Sequence, residues 1–168
     1  MRPSRLVERT PVRFVGGQAA GCGPVATAFA HGSAEITPVR TPDTIVRSLA
    51  IGNPADGRHA VELARASGGS VEAISDDRTA EAIRRSARLE GIYPETAGGV
   101  TLAAAEMARR RGVIGPDDEV VALVTGNGLK TPDAFRHGLE ARPAEPGVPG
   151  LAPAITPSFR AFEAWLKR

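Results

Sequence analysis

The run from Glu119 to Gly126, EVVALVTG, is the feature that most constrains the fold of this chain. The residues between the glutamate and the closing Thr-Gly are all apolar, and most of them are valine. A continuous apolar run of this kind is typical of a parallel strand that helices cover on both faces. The run therefore favours an α/β fold, in which a sheet between two helical layers buries such a strand.

Strand-like and helix-like segments alternate through the rest of the chain. Short apolar runs predict strands, whereas apolar residues at helical spacing, opened by Ser, Pro or Asp and closed by glycine, predict helices. We predict strands at residues 12–18 and 70–75, and helices at 24–31, from Thr41, from Asp56, from Ser75 to Gly91, and at 97–112. This alternation predicts a three-layer α/β fold, with a mainly parallel sheet covered by helices.

The carboxyl-terminal part differs in composition from the rest. Residues 141–154, ARPAEPGVPGLAPA, hold four prolines and predict an extended surface connector. Residues 155–168 combine the helix-start signal TPS with apolar residues at helical spacing, which predicts an amphipathic helix that docks onto the domain. The expected organisation is a domain over residues 1–140, a connector over 141–154 and a docking helix over 155–168.

Composition excludes several classes of function. A formal net charge of +2 with dispersed basic residues argues against nucleic-acid binding. The single cysteine, Cys22, excludes an internal disulfide and a multi-cysteine metal site. No apolar run approaches the roughly 20 residues of a membrane span, and the first residues lack the apolar core of a secretory signal. We expect a cytoplasmic protein that binds neither metal nor membrane.

Thr125 stands where ligands bind in parallel α/β sheets, at the carboxyl end of a strand. Its hydroxyl can exchange one hydrogen bond with a ring nitrogen, and the Gly-Asn-Gly that follows lets the backbone turn away without crowding a ligand. The alternative is a strand-terminal turn with no ligand. The segment GGQAAGCG at residues 16–23 has similar alternatives, since it can form an anion-binding nest or merely a tight turn.

Two other loops fall at junctions where a ligand at the sheet edge would lie. One is AIGNPADG at residues 50–57, with Gly52 and Asn53, and the other is YPETAGG at residues 93–99, with Glu95. Glu95 can orient a ring nitrogen or a substrate ammonium group, or it can hold loop amides as a structural carboxylate. The residues alone leave both roles open.

Several ordered motifs resemble the carboxyl-terminal half of threonine synthase. They are QAAGCGPVATAF, TPDTIVRSLAIGNPADG, SGGSVEAISD, EGIYPETAGGVTLA and VTGNGLKTP, with a further match in the terminal SFRAFEAWL. The resemblance implies part of the large domain of a fold type II (tryptophan synthase β-like) enzyme that uses pyridoxal 5′-phosphate. Members of this family convert O-phospho-L-homoserine and water to L-threonine and phosphate, a lyase-type reaction of threonine biosynthesis.

The resemblance also assigns roles to the candidate residues. Thr125 matches the position whose hydroxyl meets the pyridine nitrogen, the loop with Gly52 and Asn53 resembles the wall of one ring face, and Glu95 falls in the ETAGG loop beside the site. The family's Schiff-base lysine and phosphate loop match nothing in this sequence. Lys130 is expected to point away from the aldehyde carbon, and Lys167 lies in the terminal helix. The resemblance therefore implies no catalytic residue here, and a chain that is inactive alone.

Three functions follow as expectations. The first is a truncated or split threonine synthase, active only with a separate amino-terminal half that carries the Schiff-base lysine. The second is a non-catalytic remnant or a binding and assembly domain, which can form a homo-oligomer through uncovered apolar faces. The third is half of a related β-replacement enzyme.

Overall fold

A parallel pair of strands forms the centre of the structure. The computed structural model describes residues 12–138 and 156–167. Strand β1 (Val15–Ala19) pairs with β2 (Ser70–Ile74) in parallel, in a register that runs from Val15 opposite Ser70 to Ala19 opposite Ile74. The strands predicted at 12–18 and 70–75 are thus present, and the first begins at Val15.

Helices alternate with the strands along the chain, as the sequence predicts. They are α1 (Pro24–Ala30), α2 (Gly57–Ala66), α3 (Asp76–Glu90), α4 (Thr96–Arg110), α5 (Pro132–Arg136) and α6 (Phe159–Leu166), with short 3-10 turns at Ala20–Cys22, Arg47–Leu49 and Gly128–Lys130. Four of the predicted helices match α1 to α4 closely. The order of strands and helices gives the expected α/β architecture.

Local signals explain why β2 is followed at once by α3. The Ser75 hydroxyl accepts a hydrogen bond from the Arg78 amide at 3.4 Å, and two aspartates occupy the first turn of the helix. Gly91 ends α3 with a φ of +66°, in the left-handed region that glycine adopts readily. Helix capping and the favourable placement of acidic residues near the helix amino terminus therefore set both ends of α3.

Apolar residues cover both faces of the strand pair. On one face α1 and α2 pack on Val71 through Val25, Ala28 and Val61. On the other face α4 packs on Ile74 through Val100 and other small residues. Helix α3 lies against α4. Two helical layers thus enclose the sheet, as the three-layer prediction requires.

The segment from Thr41 does not form the predicted helix. Residues 41–49 contain bends and only the short turn Arg47–Leu49. The Asp43 amide donates to the Gly21 carbonyl at 3.1 Å, and the Ile45 amide donates to the Asp76 carboxylate at 2.9 Å. A helix from Thr41 would bond the Ile45 amide internally, and these distant partners instead hold the segment in another conformation, so the helix-start signal at Pro42 is overridden.

The run from Glu119 to Gly126 does not form the predicted buried strand. Its residues have no strand pairing in the described structure, and Val121 and Leu123 are 82% and 74% exposed. The prediction of a doubly covered strand was wrong for this chain because neither a neighbouring strand nor two helical layers surround these residues. Only Asn127, just beyond the run, forms an isolated antiparallel bridge, with Pro94.

The terminal helix is present, but its apolar residues are exposed. Helix α6 begins after Ser158, whose hydroxyl accepts from the Ala161 amide at 3.2 Å, and none of its residues is buried. Its docking stays a prediction, and the connector at 141–154 lies outside the described residues. None of the described helices is long and apolar enough to cross a membrane.

Replacing Ile74 with alanine tests the core between the sheet and α4. Ile74 is fully buried, so Ile74→Ala should lower the free energy of unfolding by about 2–5 kcal/mol, measured by urea denaturation. Ile92→Ala is the matched control because Ile92 is 52% exposed, and its effect should stay below about 1 kcal/mol. Equal effects of the two substitutions would contradict this packing.

Candidate functional site

The turn that follows Thr125 packs against the loop that precedes α4. The Gly128 amide donates to the Tyr93 carbonyl at 2.9 Å, and the Glu95 amide donates to the Gly126 carbonyl at 3.3 Å. Together with the bridge between Pro94 and Asn127, these bonds join two chain segments that lie far apart in sequence. The structure therefore brings two of the sequence-predicted site residues, Thr125 and Glu95, into one place.

Both glycines of the turn are required by close contacts. Gly126 has a φ of +73°, and a Cβ atom there would lie 2.2 Å from the Glu95 Cδ. A Cβ atom at Gly128 would lie 2.4 Å from the Tyr93 ring. The Gly-Asn-Gly sequence thus lets the backbone rest directly on the Glu95 and Tyr93 side chains.

Glu95 is buried beneath this turn and paired with a lysine. The residue is only 8% exposed, and its Oε2 lies 2.8 Å from the Lys130 Nζ. Glu95 also stands immediately before α4, at the positive end of the helix dipole. Its carboxylate therefore contributes to the structure of the turn, one of the two roles that the sequence left open.

Thr125 is exposed at the start of the turn. The preceding residue, Val124, faces the first turn of α4, where a Cβ atom on Gly98 would approach its side chain to 3.1 Å. Thr125 thus lies between two residues that make close contacts, Val124 and Gly126, and is itself exposed to solvent. A hydroxyl in this position can exchange a hydrogen bond with a ligand that enters from solvent.

Gly52 and Asn53 lie on a separate loop. Gly52 packs against Val39, whose amide donates to the Gly52 carbonyl at 2.9 Å. This loop follows Val46, which is fully buried against α4 in the same cluster as Val100. The contacts described for Gly52 connect it with Val39 and not with the Thr125 turn.

Asp76 is a contributor that sequence reasoning missed. Its carboxylate accepts from the Thr44 hydroxyl and from the Ile45 amide, the latter at 2.9 Å. This places Asp76 as the group that fixes the segment leading to the Gly52 loop. An aspartate in the first turn of a helix was visible in the sequence, but that signal indicates only a favourable charge at the helix amino terminus.

The glycine-rich segment at residues 16–23 behaves as a tight turn. The Gln18 side-chain oxygen accepts from the Val25 and Ala26 amides at 2.8 and 3.0 Å, so it occupies the amino terminus of α1. Cys22 is fully buried. The amides that an anion would need at this helix end are thus already bonded within the protein.

Tyr93 supports the turn from beneath and has a perturbed acidity. Its ring meets Phe135 edge to face, with centroids 5.5 Å apart. Burial raises the pKa of the Tyr93 hydroxyl above its ordinary value, and the nearby Arg136 opposes this in part. The phenol thus remains neutral under ordinary conditions and acts here as packing for Gly128.

Comparison with known proteins identifies the family to which this chain belongs. The model of the family described as pyridoxal-phosphate dependent enzyme matches residues 3–126. The chain belongs to this family, whose cofactor is pyridoxal phosphate. The fold agrees with that of maize serine racemase, with a TM-score of 0.58 and 17% identity over 76% of this chain and 39% of that chain.

Within this class the chain is similar to threonine synthases. It is 36% identical to the threonine synthase of Methanocaldococcus jannaschii over 129 residues, which are 77% of this chain and 32% of the relative. It is 37% identical to that of Mycobacterium tuberculosis strain H37Rv over 128 residues, 76% of this chain and 33% of the relative. The chain thus spans about a third of the length of these relatives. The resemblance inferred from the motifs is confirmed.

Substitution of Gly126 tests the contact with Glu95. Gly126→Ala should destabilise the protein because it adds a Cβ atom against the Glu95 carboxylate and strains a positive φ. Gly112→Ala is the matched control, since Gly112 has a φ of +75° but no atom within 4 Å of the added carbon. Urea denaturation should show a loss about 1 kcal/mol or more greater for Gly126→Ala.

The contact between Gly126 and Glu95 gives a second prediction. In a protein that carries Glu95→Ala, the losses of stability caused by Gly126→Ala and by Gly112→Ala should become nearly equal. If the two glycine substitutions are equally destabilising when Glu95 is retained, the turn does not rest on Glu95.

Titration of Tyr93 tests the burial of its ring. Tyr93 is the single tyrosine of the chain, so phenolate absorbance reports on it alone. Its midpoint should lie above 10.0 in the folded protein and return toward 10.0 in denaturant. Because the folded pKa is the higher one, its contribution to stability is complete below pH 10.0 and is lost as the pH rises through the folded value. A folded midpoint at or below that of the denatured chain would contradict burial.

Proposed function

We propose that this chain forms one wall of a pyridoxal 5′-phosphate site that converts O-phospho-L-homoserine and water to L-threonine and phosphate. The supporting observation is the turn at Thr125, which main-chain hydrogen bonds and the ion pair of Glu95 with Lys130 join to the ETAGG loop. The similarity to threonine synthases supports the choice of substrate. The activity requires the remainder of the fold, from polypeptide beyond the region described.

The residues of this wall fit the nitrogen side of the cofactor ring. Thr125 offers an exposed hydroxyl, which can donate to or accept from the ring nitrogen. The glycines that follow present no side chain that would crowd the ring. When bound, the cofactor supplies an electron sink, and a neutral hydroxyl partner leaves the ring nitrogen largely unprotonated. The role of Thr125 is therefore to orient the ring and tune its acidity.

The amine that binds the cofactor covalently must come from elsewhere. The sequence contains only two lysines, Lys130 and Lys167. The Lys130 ammonium is engaged by the Glu95 carboxylate at 2.8 Å, and Lys167 pairs with Glu163 at 3.0 Å in the terminal helix. We therefore assign no catalytic residue to this chain, and propose that a separate amino-terminal half supplies the lysine and the phosphate loop.

A second candidate function is non-catalytic assembly. It is favoured by exposed apolar side chains in the described residues, among them Val121 and Leu123 and, on α6, Phe159 and Leu166. Apolar surface of this kind commonly marks a contact with another chain. A homo-oligomer built through these residues would need no cofactor.

Reconstitution with an amino-terminal half separates the two candidates. The chain is combined with the part of the M. jannaschii enzyme that precedes the matched region, and phosphate release from O-phospho-L-homoserine is measured. Thr125→Val should lower the rate about tenfold or more because the ring nitrogen loses its hydrogen bond, whereas Thr125→Ser should retain most of the rate.

Three outcomes would contradict the proposal. One is a failure to release phosphate with amino-terminal halves from both M. jannaschii and M. tuberculosis. Another is equal activity of Thr125→Val and Thr125→Ser. The third is a borohydride-reducible cofactor adduct on Lys130 in the chain alone, because it would show that the covalent amine lies here.

A further inference from the structure

A small polar groove lies along the contact between α3 and α4. Five charged side chains line it, and these are Arg78, Glu81 and Arg85 of α3 with Glu106 and Arg110 of α4. Residues three, four or seven positions apart lie on the same face of a helix, so each helix turns one charged face toward the groove. Two packed helices, and not a loop, therefore position these charges.

Small side chains give the groove its depth. Ala82 and Ala103 line it between the charged residues. Ala103 is buried in the core cluster, and Ala82 packs against that cluster. The groove has a volume of about 130 Å³. Pockets for drug-sized ligands usually measure about 300–1,000 Å³, so this groove suits a compact ion and is too small for a cofactor or a nucleotide.

The lining carries more guanidinium donors than its own carboxylates use. The Glu106 Oε1 atom lies 2.5 Å from Nη2 of Arg110 and 3.5 Å from Nη1 of Arg85, so one oxygen holds both arginines. Each guanidinium has five N–H donors, and most of them stay available. Among the described residues the Arg78 side chain has no ion-pair or hydrogen-bond partner. Three arginines against two glutamates leave the lining with a formal charge of +1.

Ordinary pairing along one helix does not explain this arrangement. Glu81 precedes Arg85 by four residues, the spacing at which ion pairs form on a helix surface. Arg85 instead reaches across the groove to Glu106 of α4, and no ion pair of Glu81 is found in the part of the chain that the structure describes. The arginines of the two helices thus converge across the groove.

We infer that the groove between α3 and α4 binds a compact anion with two negative charges, such as a phosphate group or a small dicarboxylate. Guanidinium groups bind oxyanions of this kind through pairs of N–H donors, which Arg78 and Arg85 offer from one side and Arg110 from the other. Glu106 holds two of these arginines in place before the anion arrives, which reduces the entropic cost of ordering them. The inference is independent of the proposed function, since Thr125 takes no part in it.

Titration of the 168-residue chain with inorganic phosphate tests the site. Backbone amide and arginine Nε resonances are followed by NMR at constant ionic strength and about pH 8, where phosphate groups carry nearly two charges. Methyl phosphate and malonate are titrated separately, and chloride is the reference anion. We expect saturable shifts in α3 and α4 around Ala82 and Ala103. Arg78→Gln should raise the Kd about tenfold because charge-assisted hydrogen bonds are lost.

Arg88→Gln is the matched control. Arg88 is an exposed arginine of the same helix that does not line the groove, so its loss changes the net charge equally and should leave the Kd nearly unchanged. Glu81→Gln should act in the opposite direction and lower the Kd, since it removes a negative charge from the lining without breaking a described ion pair. Circular dichroism should show unchanged folding, because all three substituted side chains are exposed.

The outcomes separate the ligand classes from failure of the site. Binding of phosphate and methyl phosphate alone assigns the groove to phosphate groups, binding of malonate alone assigns it to dicarboxylates, and binding of all three assigns it to compact dianions in general. The absence of saturable shifts with every one of these anions would overturn the inference. Equal weakening by Arg78→Gln and Arg88→Gln, or shifts confined to residues 125–129, would also overturn it.

Discussion

The close approach of α4 to the two strands is the constraint on which the rest of the structure depends. A Cβ atom on Gly17 would lie 2.9 Å from the side chains of Val100 and Ala104, so only glycine lets the helix sit this deep. On its other side, a Cβ atom on Gly99 would lie 2.7 Å from Ile83 of α3. Because α4 begins directly after Glu95, this depth also determines how Glu95 meets the turn at Gly126. Packing by small residues thus positions the candidate site.

The parts of the fold that the sequence predicts well are those set by local signals. The Ser75 cap follows the end of β2 directly, Gly91 closes α3, and the observed elements follow these signals almost residue for residue. Segment 41–49 carries an equally clear helix-start signal, yet distant groups on Gly21 and Asp76 bind its backbone amides. Such bonds join residues far apart in sequence, so a local sequence pattern cannot predict them.

The candidate site likewise combines features that the sequence predicts with long-range contacts that it does not predict. The motifs indicated that Thr125 and Glu95 serve one site, and the structure brings them together through Gly126. The ion pair of Glu95 with Lys130 and the support of Gly128 by Tyr93 were not visible, since they depend on how the turn folds back. The apolar run at 119–126 gave a wrong prediction of a buried strand for a further reason. Its composition encodes a strand in a complete sheet, and composition cannot state whether the neighbouring strand belongs to the same folded unit.

The Thr125 turn can be well packed although residues 119–125 have no strand neighbour, because the contacts that hold the turn come from other residues. The Thr125 turn is held from the side of residues 93–95 by main-chain bonds, by buried Glu95 and by the Tyr93 ring. None of these contacts involves the exposed side chains of Val121 or Leu123. The order of the Thr125 turn therefore does not depend on a strand neighbour for residues 119–125. A ligand that binds at this turn would meet it already formed, so its binding energy would not be spent on ordering the turn.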